Sequence, residues 1–358
     1  MHKSKCRFGG WKIGNQTPKV DWLRPTRYIL LFFILTIASI SAVAQCDVYL
    51  PSRESDAVYV FNSATDGVAA IIPVGHGPWG VAVSPNGSFA YITNTNRANG
   101  LLVSNSVSVI DTSTYHVVAT IPVDSYPVGV ASTPSGAFAY VTNYVSNTVS
   151  VINTATNVVT ATIAVGTNPW GVAITPNGNF AYVTNYGSNT ISVINTATNA
   201  VVGTIAVGIG PDAVAITPNG NFAYVANYGS KSVSVLNTST NTVVANVAVS
   251  GPRAVAITPN GNFAYVVDDG TYYPTSGEVT VVNVATNTVV ATVSVGGSTR
   301  GGAITPDGAF AYVVSYSGDI SVISTATNTV VDTIHAAGVT NEGGGVAVRA
   351  DTPASKCR

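Results

Sequence analysis

The sequence predicts an all-β, seven-bladed β-propeller with four-stranded blades, on three observations. Residues 171–208, GVAITPNGNFAYVTNYGSNTISVINTATNAVVGTIAVG, recur in degraded copies along almost the whole chain. The aromatic that follows the Pro-Asn-Gly-like turn marks a period, because Phe89, Phe138, Phe180, Phe222, Phe263 and Phe310 are spaced by 49, 42, 42, 41 and 47 residues. No helical pattern accompanies this period, and repeats of about 40 residues built from short strands are the signature of propeller blades.

Each element of the reference repeat has a local cause. Residues 171–175 form a short apolar first strand, and Pro176-Asn177-Gly178 then make a tight turn. Proline presets the first turn dihedral, and Asn and Gly tolerate positive φ. Residues 180–184 form the second strand, Gly187-Ser188-Asn189 turn the chain again, and residues 190–195 form the third strand. Residues 196–199 make the third turn and residues 200–207 the outer strand. Blades stack face to face, so their inner strands are buried on both sides and read as unbroken small and apolar residues, as GVAI and FAYV do. Crowding near the axis selects Gly171, Ala173, Ala213, Ala215, Ala254 and Ala256. The recurring Tyr140, Tyr182, Tyr224, Tyr265 and Tyr312 read as blade packing rather than as a cofactor box.

The chain ends complete the ring. Residues 48–75 align with the second, third and fourth strands of a blade and lack a first, while Gly345-Val346-Ala347-Val348 supplies a first strand and stops. Together they make a composite seventh blade, which removes the free edges an open array would expose. Cys46 lies 43 residues before Phe89, in the slot of the repeat's Phe, and Cys357 lies just beyond the last strand. A structural disulfide between them is expected, on the face carrying the first turn of each blade.

Residues 1–44 read as an export signal peptide, leaving 45–358 as a single propeller domain. Lys3, Lys5, Arg7, Lys12, Lys19, Arg24 and Arg27 precede an uncharged run from Tyr28 to Ala44 that ends Ala42-Val43-Ala44, a small-x-small cleavage site. The competing reading is an uncleaved anchor, but the run is short for spanning, and no membrane span is expected after cleavage. A lipoprotein fits less well, since Gln45 stands before Cys46 where lipid attachment needs a small residue. Cleavage would remove Cys6 and leave an even pair of cysteines for an oxidising compartment. Residues 45–358 hold eight Lys or Arg against fifteen acids. That balance excludes broad nucleic-acid binding, which needs a basic stripe to release counterions.

Ala-Tyr-Val-Thr-Asn at 139–143 and 181–185, with Ala-Tyr-Val-Ala-Asn at 223–227, closely resembles the signature of the YVTN β-propeller repeat proteins. The likeness covers nearly all of 45–358, and strand motif, turn motif and period agree. The resemblance implies a seven-bladed propeller outside the cytoplasm, whether periplasmic, cell-surface or extracellular, and implies little chemistry. Val267-Asp268 and Val314-Ser315 in place of Thr-Asn, and Leu50-Pro51-Ser52 in the composite blade, depart from the signature. These departures bear on local turn capping more than on the fold.

Chemistry is sought where equivalent positions differ. Just before each first strand the ring holds Trp79, Val128, Trp170, Asp212, Arg253, Arg300 and Gly344, with Glu342 in the adjoining last loop. This is a candidate ligand site at one mouth of the central channel, with an anionic group on Arg253 and Arg300 and Trp79 or Trp170 as a stacking wall. The alternative is that Asp212 and the arginines pair to line a wet channel while the tryptophans cover blade junctions. Two loops on the same face exceed the repeat, one with Arg97 and the other with Asp268, Asp269, Tyr272 and Tyr273, and insertions on one face often build a binding surface. Drift in exposed loops explains them equally well.

Several apparent motifs carry no chemistry. Asp268-Asp269-Gly270 lacks the acidic spacing of a calcium loop. His76, His116 and His335 fall in different blades, so no metal is expected. The G-x-G-x-x-G match at 75–80 precedes a strand where a dinucleotide site needs a helix. G-x-S-x-G and H-E-x-x-H are absent. The expected function is therefore a non-catalytic, monomeric binding or scaffold protein without a cofactor, whose ligand is a small anion, a glycan or a peptide. One alternative is a lactonase-like hydrolase or a lyase, which needs several His, Asp or Glu to converge where the ring offers Asp212 near Glu342. The other is a surface-layer component that assembles laterally through its outer strands.

Overall fold

In the computed structural model the described residues are 46–95, 105–269, 277–335, 344–350 and 357. They form seven four-stranded antiparallel sheets, with the strand order of a meander in each. In the reference blade, blade three, the strands are Pro169–Ile174, Phe180–Asn185, Thr190–Asn195 and Ala200–Ala206. Gly178 turns at φ +75° between the first two strands, and Asn189 and Asn199 take φ of 58° and 51° in the next two turns, where Asn tolerates the left-handed region.

The hydrophobic core is divided among the blade junctions. Tyr182, Ile191, Val193 and Ile205 of blade three pack against Val214, Ala223, Val225 and Leu236 of blade four, and the other junctions repeat the arrangement. Each fully buried large side chain contributes about 1.5–3 kcal/mol, so the ring is held by seven similar interfaces rather than one centre.

The repeated Tyr-Val-Thr-Asn strand has a physical reading, residue by residue. The tyrosine hydroxyl crosses to the next blade, where Tyr182 donates to Asn241 Oδ1 at 2.7 Å and Tyr140 to Asn199 Oδ1 at 2.8 Å. Burial pushes both phenols up to about 12, so they stay protonated donors. The valine fills the junction core. The threonine bridges two inner strands, Thr142 Oγ1 accepting from Gly129 N–H at 2.8 Å and donating to the Trp170 carbonyl of the next blade at 2.6 Å. The asparagine ties its strand to the third, Asn185 Nδ2 donating to Thr190 and Ser192 hydroxyls.

The inner strand shifts register after its first residue in blades one to six, and threonine stands only where the third inner residue is left out of the ladder. In blades one to three the third inner residue is Gly80, Gly129 or Gly171, outside the ladder and against the next blade; a Cβ on Gly171 would lie 2.7 Å from the Asp212 carbonyl oxygen. In blades four and five Ala213 and Ala254 pair directly with Ala226 and Val267, which stand where threonine stood. Thr142→Val is therefore expected to cost about 1–3 kcal/mol, read as a lower urea midpoint, because a buried N–H and a carbonyl lose their partner. Val267→Thr should bring no gain, since Ala254 already pairs with it in the ladder.

The composite blade forms as expected, with Ala347–Ala350 pairing Cys46–Ser52 and the remaining strands Ala57–Asn62 and Val68–Pro73 following. The expected slot of Cys46 is off by one. Tyr49 pairs Val60 as Tyr91 pairs Val109, which places Asp47, not Cys46, where the repeat has Phe. Asp47 is fully buried, takes hydrogen bonds from Arg349 Nη1 at 3.1 Å and the Tyr115 hydroxyl at 2.9 Å, and Arg349 Nε also donates to the Gly87 carbonyl. Beside this latch the Cys46–Cys357 disulfide closes the ring, with its Cα atoms 5.3 Å apart.

The outer strands expose apolar side chains such as Val202, Val244, Val290 and Val331. Each is bulged against the third strand, in blade three between Val193 and Ile194, and such bulges twist an edge away from pairing with another chain.

Candidate functional site

The ring residues lie one step deeper than the sequence suggests. Trp79, Val128, Trp170, Asp212, Arg253 and Arg300 are the second residues of the inner strands rather than the ends of the joining loops. They line, together with Gly344, a cavity of about 290 Å³ in the channel. This is near the lower end of ligand-pocket volumes, about 300–1,000 Å³.

A second ring surrounds the first and is not legible from turn chemistry alone. The residue following each second strand is Thr95, Tyr144, Tyr186, Tyr228, Asp269 or Tyr316, with Arg53 in the composite blade. Most members contact the inner ring. Tyr144 and Tyr186 flank Trp170 at centroid distances of 5.4 and 6.1 Å, and Arg53 lies 5.6 Å over Trp79. Trp79 and Trp170 meet edge to face at 5.6 Å, with Val128, 1% exposed, between them in ring order. One side of the mouth is thus aromatic. The recurrence of tyrosine after the YVTN strand is the sequence signal for it.

The other side is charged, and its two arginines differ. Arg253 is fully engaged: Nη1 donates to Asp212 Oδ2 at 3.0 Å, Nε and Nη2 donate to Asp269 Oδ2 at 3.3 Å, and the guanidinium stacks 3.3 Å from the Tyr228 centroid. Burial opposes its charge, but Asp212 and Asp269 outweigh burial and raise its pKa. Arg300 lies 5.7 Å from the Tyr316 centroid and forms no ion pair among the described residues; its Nε is buried without a hydrogen-bond partner. Asp212 is 2% exposed, and while Oδ2 meets Arg253, Oδ1 takes no hydrogen bond from any described residue. Burial pushes the Asp212 carboxyl up to about 6 against the opposing charges of Arg253 and Arg300.

Arg253 thus pairs with Asp212, while Arg300 pairs with no described acid. The loop surface is corrected where it is described. Asp268 ends the second strand of blade five, fully buried, and receives the Thr280 hydroxyl at 2.6 Å and the Gly251 N–H at 3.3 Å. Asp269 is 6% exposed and faces inward to Arg253 and the Ser298 hydroxyl. Asp268 is buried because the strand runs on through it, and Asp269, just past the strand end, is buried against Arg253 and Ser298. Arg97, Tyr272, Tyr273 and Glu342 lie outside the described residues. Among the described residues no group of three His, Cys, Asp or Glu side chains is placed to hold a metal ion.

Comparison with known proteins gives one family match, to the lactonase seven-bladed β-propeller family, over residues 130–246, about a third of the chain. No curated protein matches. Among solved structures, a Kuenenia stuttgartiensis hydrazine synthase is similar at 28% identity and a TM-score of 0.63, over 69% of this chain and 76% of that one. A functionally unknown protein from Desulfotomaculum acetoxidans superposes at 20% identity and a TM-score of 0.72, over 85% and 98% of the two chains. A putative 6-phosphogluconolactonase from Bacteroides uniformis does so at 17% identity and 0.67, over 85% and 99%. At such identities the last two bear on fold alone. Topology and likeness agree that this chain is a seven-bladed β-propeller protein.

Proposed function

We propose that the protein is an exported, non-catalytic binding protein that takes its ligand at the channel mouth, with an anionic group on Arg300 and an apolar or ring-shaped part against Trp79 and Trp170. The observation that carries this reading is the contrast between the two arginines. Arg253 is neutralised within the fold, whereas Arg300 lines the cavity with a buried Nε that no described residue bonds. A buried donor without a partner costs about 1–3 kcal/mol, which a bound anion would return. The basic and apolar N-terminal stretch and the Cys46–Cys357 disulfide support export to an oxidising compartment.

Calorimetric titration of the purified protein with small carboxylates, phosphates, sugars and peptides tests the reading. Arg300→Met should weaken the responding ligand at least tenfold, about 1.4 kcal/mol. Arg253→Met should instead mainly lower stability. An Arg300→Met protein with unchanged affinity would overturn the assignment.

The family match to the lactonase seven-bladed β-propellers supports a second reading, a hydrolase. A buried carboxyl at about 6 in a cleft, Asp212, is poised as a general base would be. Lactone turnover that disappears in Asp212→Asn would favour this reading over simple binding.

A further inference from the structure

The charged side of the mouth holds two groups of opposite sign, each with a buried hydrogen-bonding atom that no described residue meets. On one side is the Arg300 Nε–H, a donor, and on the other is Asp212 Oδ1, an acceptor. The two side chains line the same cavity and form no ion pair with each other, yet the Arg300 charge acts on Asp212 through space. The surroundings of Asp212 leave Oδ1 bare. Arg253 occupies Oδ2, the Thr184 hydroxyl serves the Asp212 backbone carbonyl at 3.0 Å, Tyr228 is stacked on Arg253, and Asp269 holds the far side of that guanidinium.

We propose that the mouth selects anions that also carry a hydrogen-bond donor, the anionic group resting on Arg300 and the donor pointing to Asp212 Oδ1. This rests on the reading of the mouth as a binding site and adds the rule by which it discriminates. An anion with only acceptor oxygens, brought up to Arg300, would set bare oxygen against bare carboxylate, and both would stay unsatisfied. An anion with an O–H satisfies both atoms at once. Specificity then comes from the repulsive element, the carboxylate, as much as from the guanidinium. Asp212 is a specificity residue in this arrangement.

Two matched pairs of probes separate the chemistry. Hydrogen phosphate carries a P–OH and sulfate at the same pH does not; lactate carries a hydroxyl beside its carboxylate and propionate does not. Direct calorimetric titration is the appropriate readout, because sulfate and phosphate both raise unfolding midpoints without binding a site. At pH 8, phosphate and lactate should bind the protein about 10- to 100-fold more tightly than sulfate and propionate, the range set by one buried hydrogen bond to a charged group. In Asp212→Asn, whose amide offers a donor as well as an acceptor, the preference should collapse to within about threefold.

A second measurement needs no substitution. At pH 5 the Asp212 carboxyl is protonated and becomes a donor, so sulfate should gain on phosphate relative to pH 8 in the unaltered protein. Arg253, Arg300, Asp269 and Tyr228 are the charged and titratable groups described around it, and the carboxyl of Asp212 is the one raised to about 6. Equal binding of sulfate and phosphate at pH 8, or a pH-independent ratio, would overturn the rule while leaving the binding site standing. Failure of all four probes to bind at either pH would overturn the mouth as an anion site, and the rule with it.

Discussion

Cys46→Ser with Cys357→Ser is expected to lower stability by about 5 kcal/mol. The two cysteines are 311 residues apart, so the bond restrains nearly the whole unfolded ring, and loop-closure entropy grows with the logarithm of that separation. The native state suffers as well, because the short strand Ala347–Ala350 is held by the composite sheet, the Arg349–Asp47 pair and this bond. Guanidinium unfolding of the double variant beside the oxidised protein measures the difference. A loss below about 1 kcal/mol would mean that the buried Arg349–Asp47 pair and the strand ladder close the ring by themselves, since breaking such a pair alone costs about 3–5 kcal/mol.

Asp268→Asn is expected to stabilise the protein above pH 6. In blades one to four this position is an asparagine whose Nδ2 donates to third-strand hydroxyls, as Asn143 does to Thr148 and Ser150. Blade five substitutes a carboxylate and faces it with Glu278, its cross-strand partner. Burial raises the Asp268 pKa to about 6, with Glu278 adding to the rise, while the Thr280 hydroxyl and the Gly251 N–H oppose it. Its folded value therefore exceeds the unfolded one of 3.8, and the native state binds the extra proton between about pH 4 and 6. Stability falls as pH rises through that window and stays lower above it. A shift of about two units corresponds to about 3 kcal/mol, and asparagine removes the liability while restoring the amide donor. The variant should gain about 1–3 kcal/mol at pH 8 and little at pH 4, measured as urea midpoints across pH. A gain of the same size at pH 4 would show that the donor geometry, not the charge, is what blade five lacks.

The candidate site is half legible in the chain. Comparing equivalent repeat positions singles out Asp212, Arg253, Arg300, Trp79 and Trp170, because a residue that breaks a repeat is free of the packing that enforces it, and the structure brings all five to one cavity. The surrounding ring of Tyr144, Tyr186, Tyr228, Asp269 and Tyr316 escapes such a comparison, since each residue looks like ordinary turn material, and only blade stacking turns it toward the axis. The slot of Cys46 is off by one residue for a similar reason. Spacing from Phe89 yields a count, but in a strand one step reverses the face, and pairing with Ala57–Asn62 decides that Asp47 holds that slot.

The amino-acid sequence by itself determined the architecture: the period, the turns and the composite seventh blade follow from local chemistry repeated until the copies must close on one another. Those signals are local, with proline, glycine and asparagine setting turn dihedrals and apolar strands fixing what is buried. Only the tertiary structure decided which charges are spent. That Arg253 is held between Asp212 and Asp269 while no described residue bonds the Arg300 Nε depends on angstrom-scale distances between blades four, five and six. No repeat pattern encodes such distances, because two arginines at equivalent positions read alike until their neighbours are folded around them.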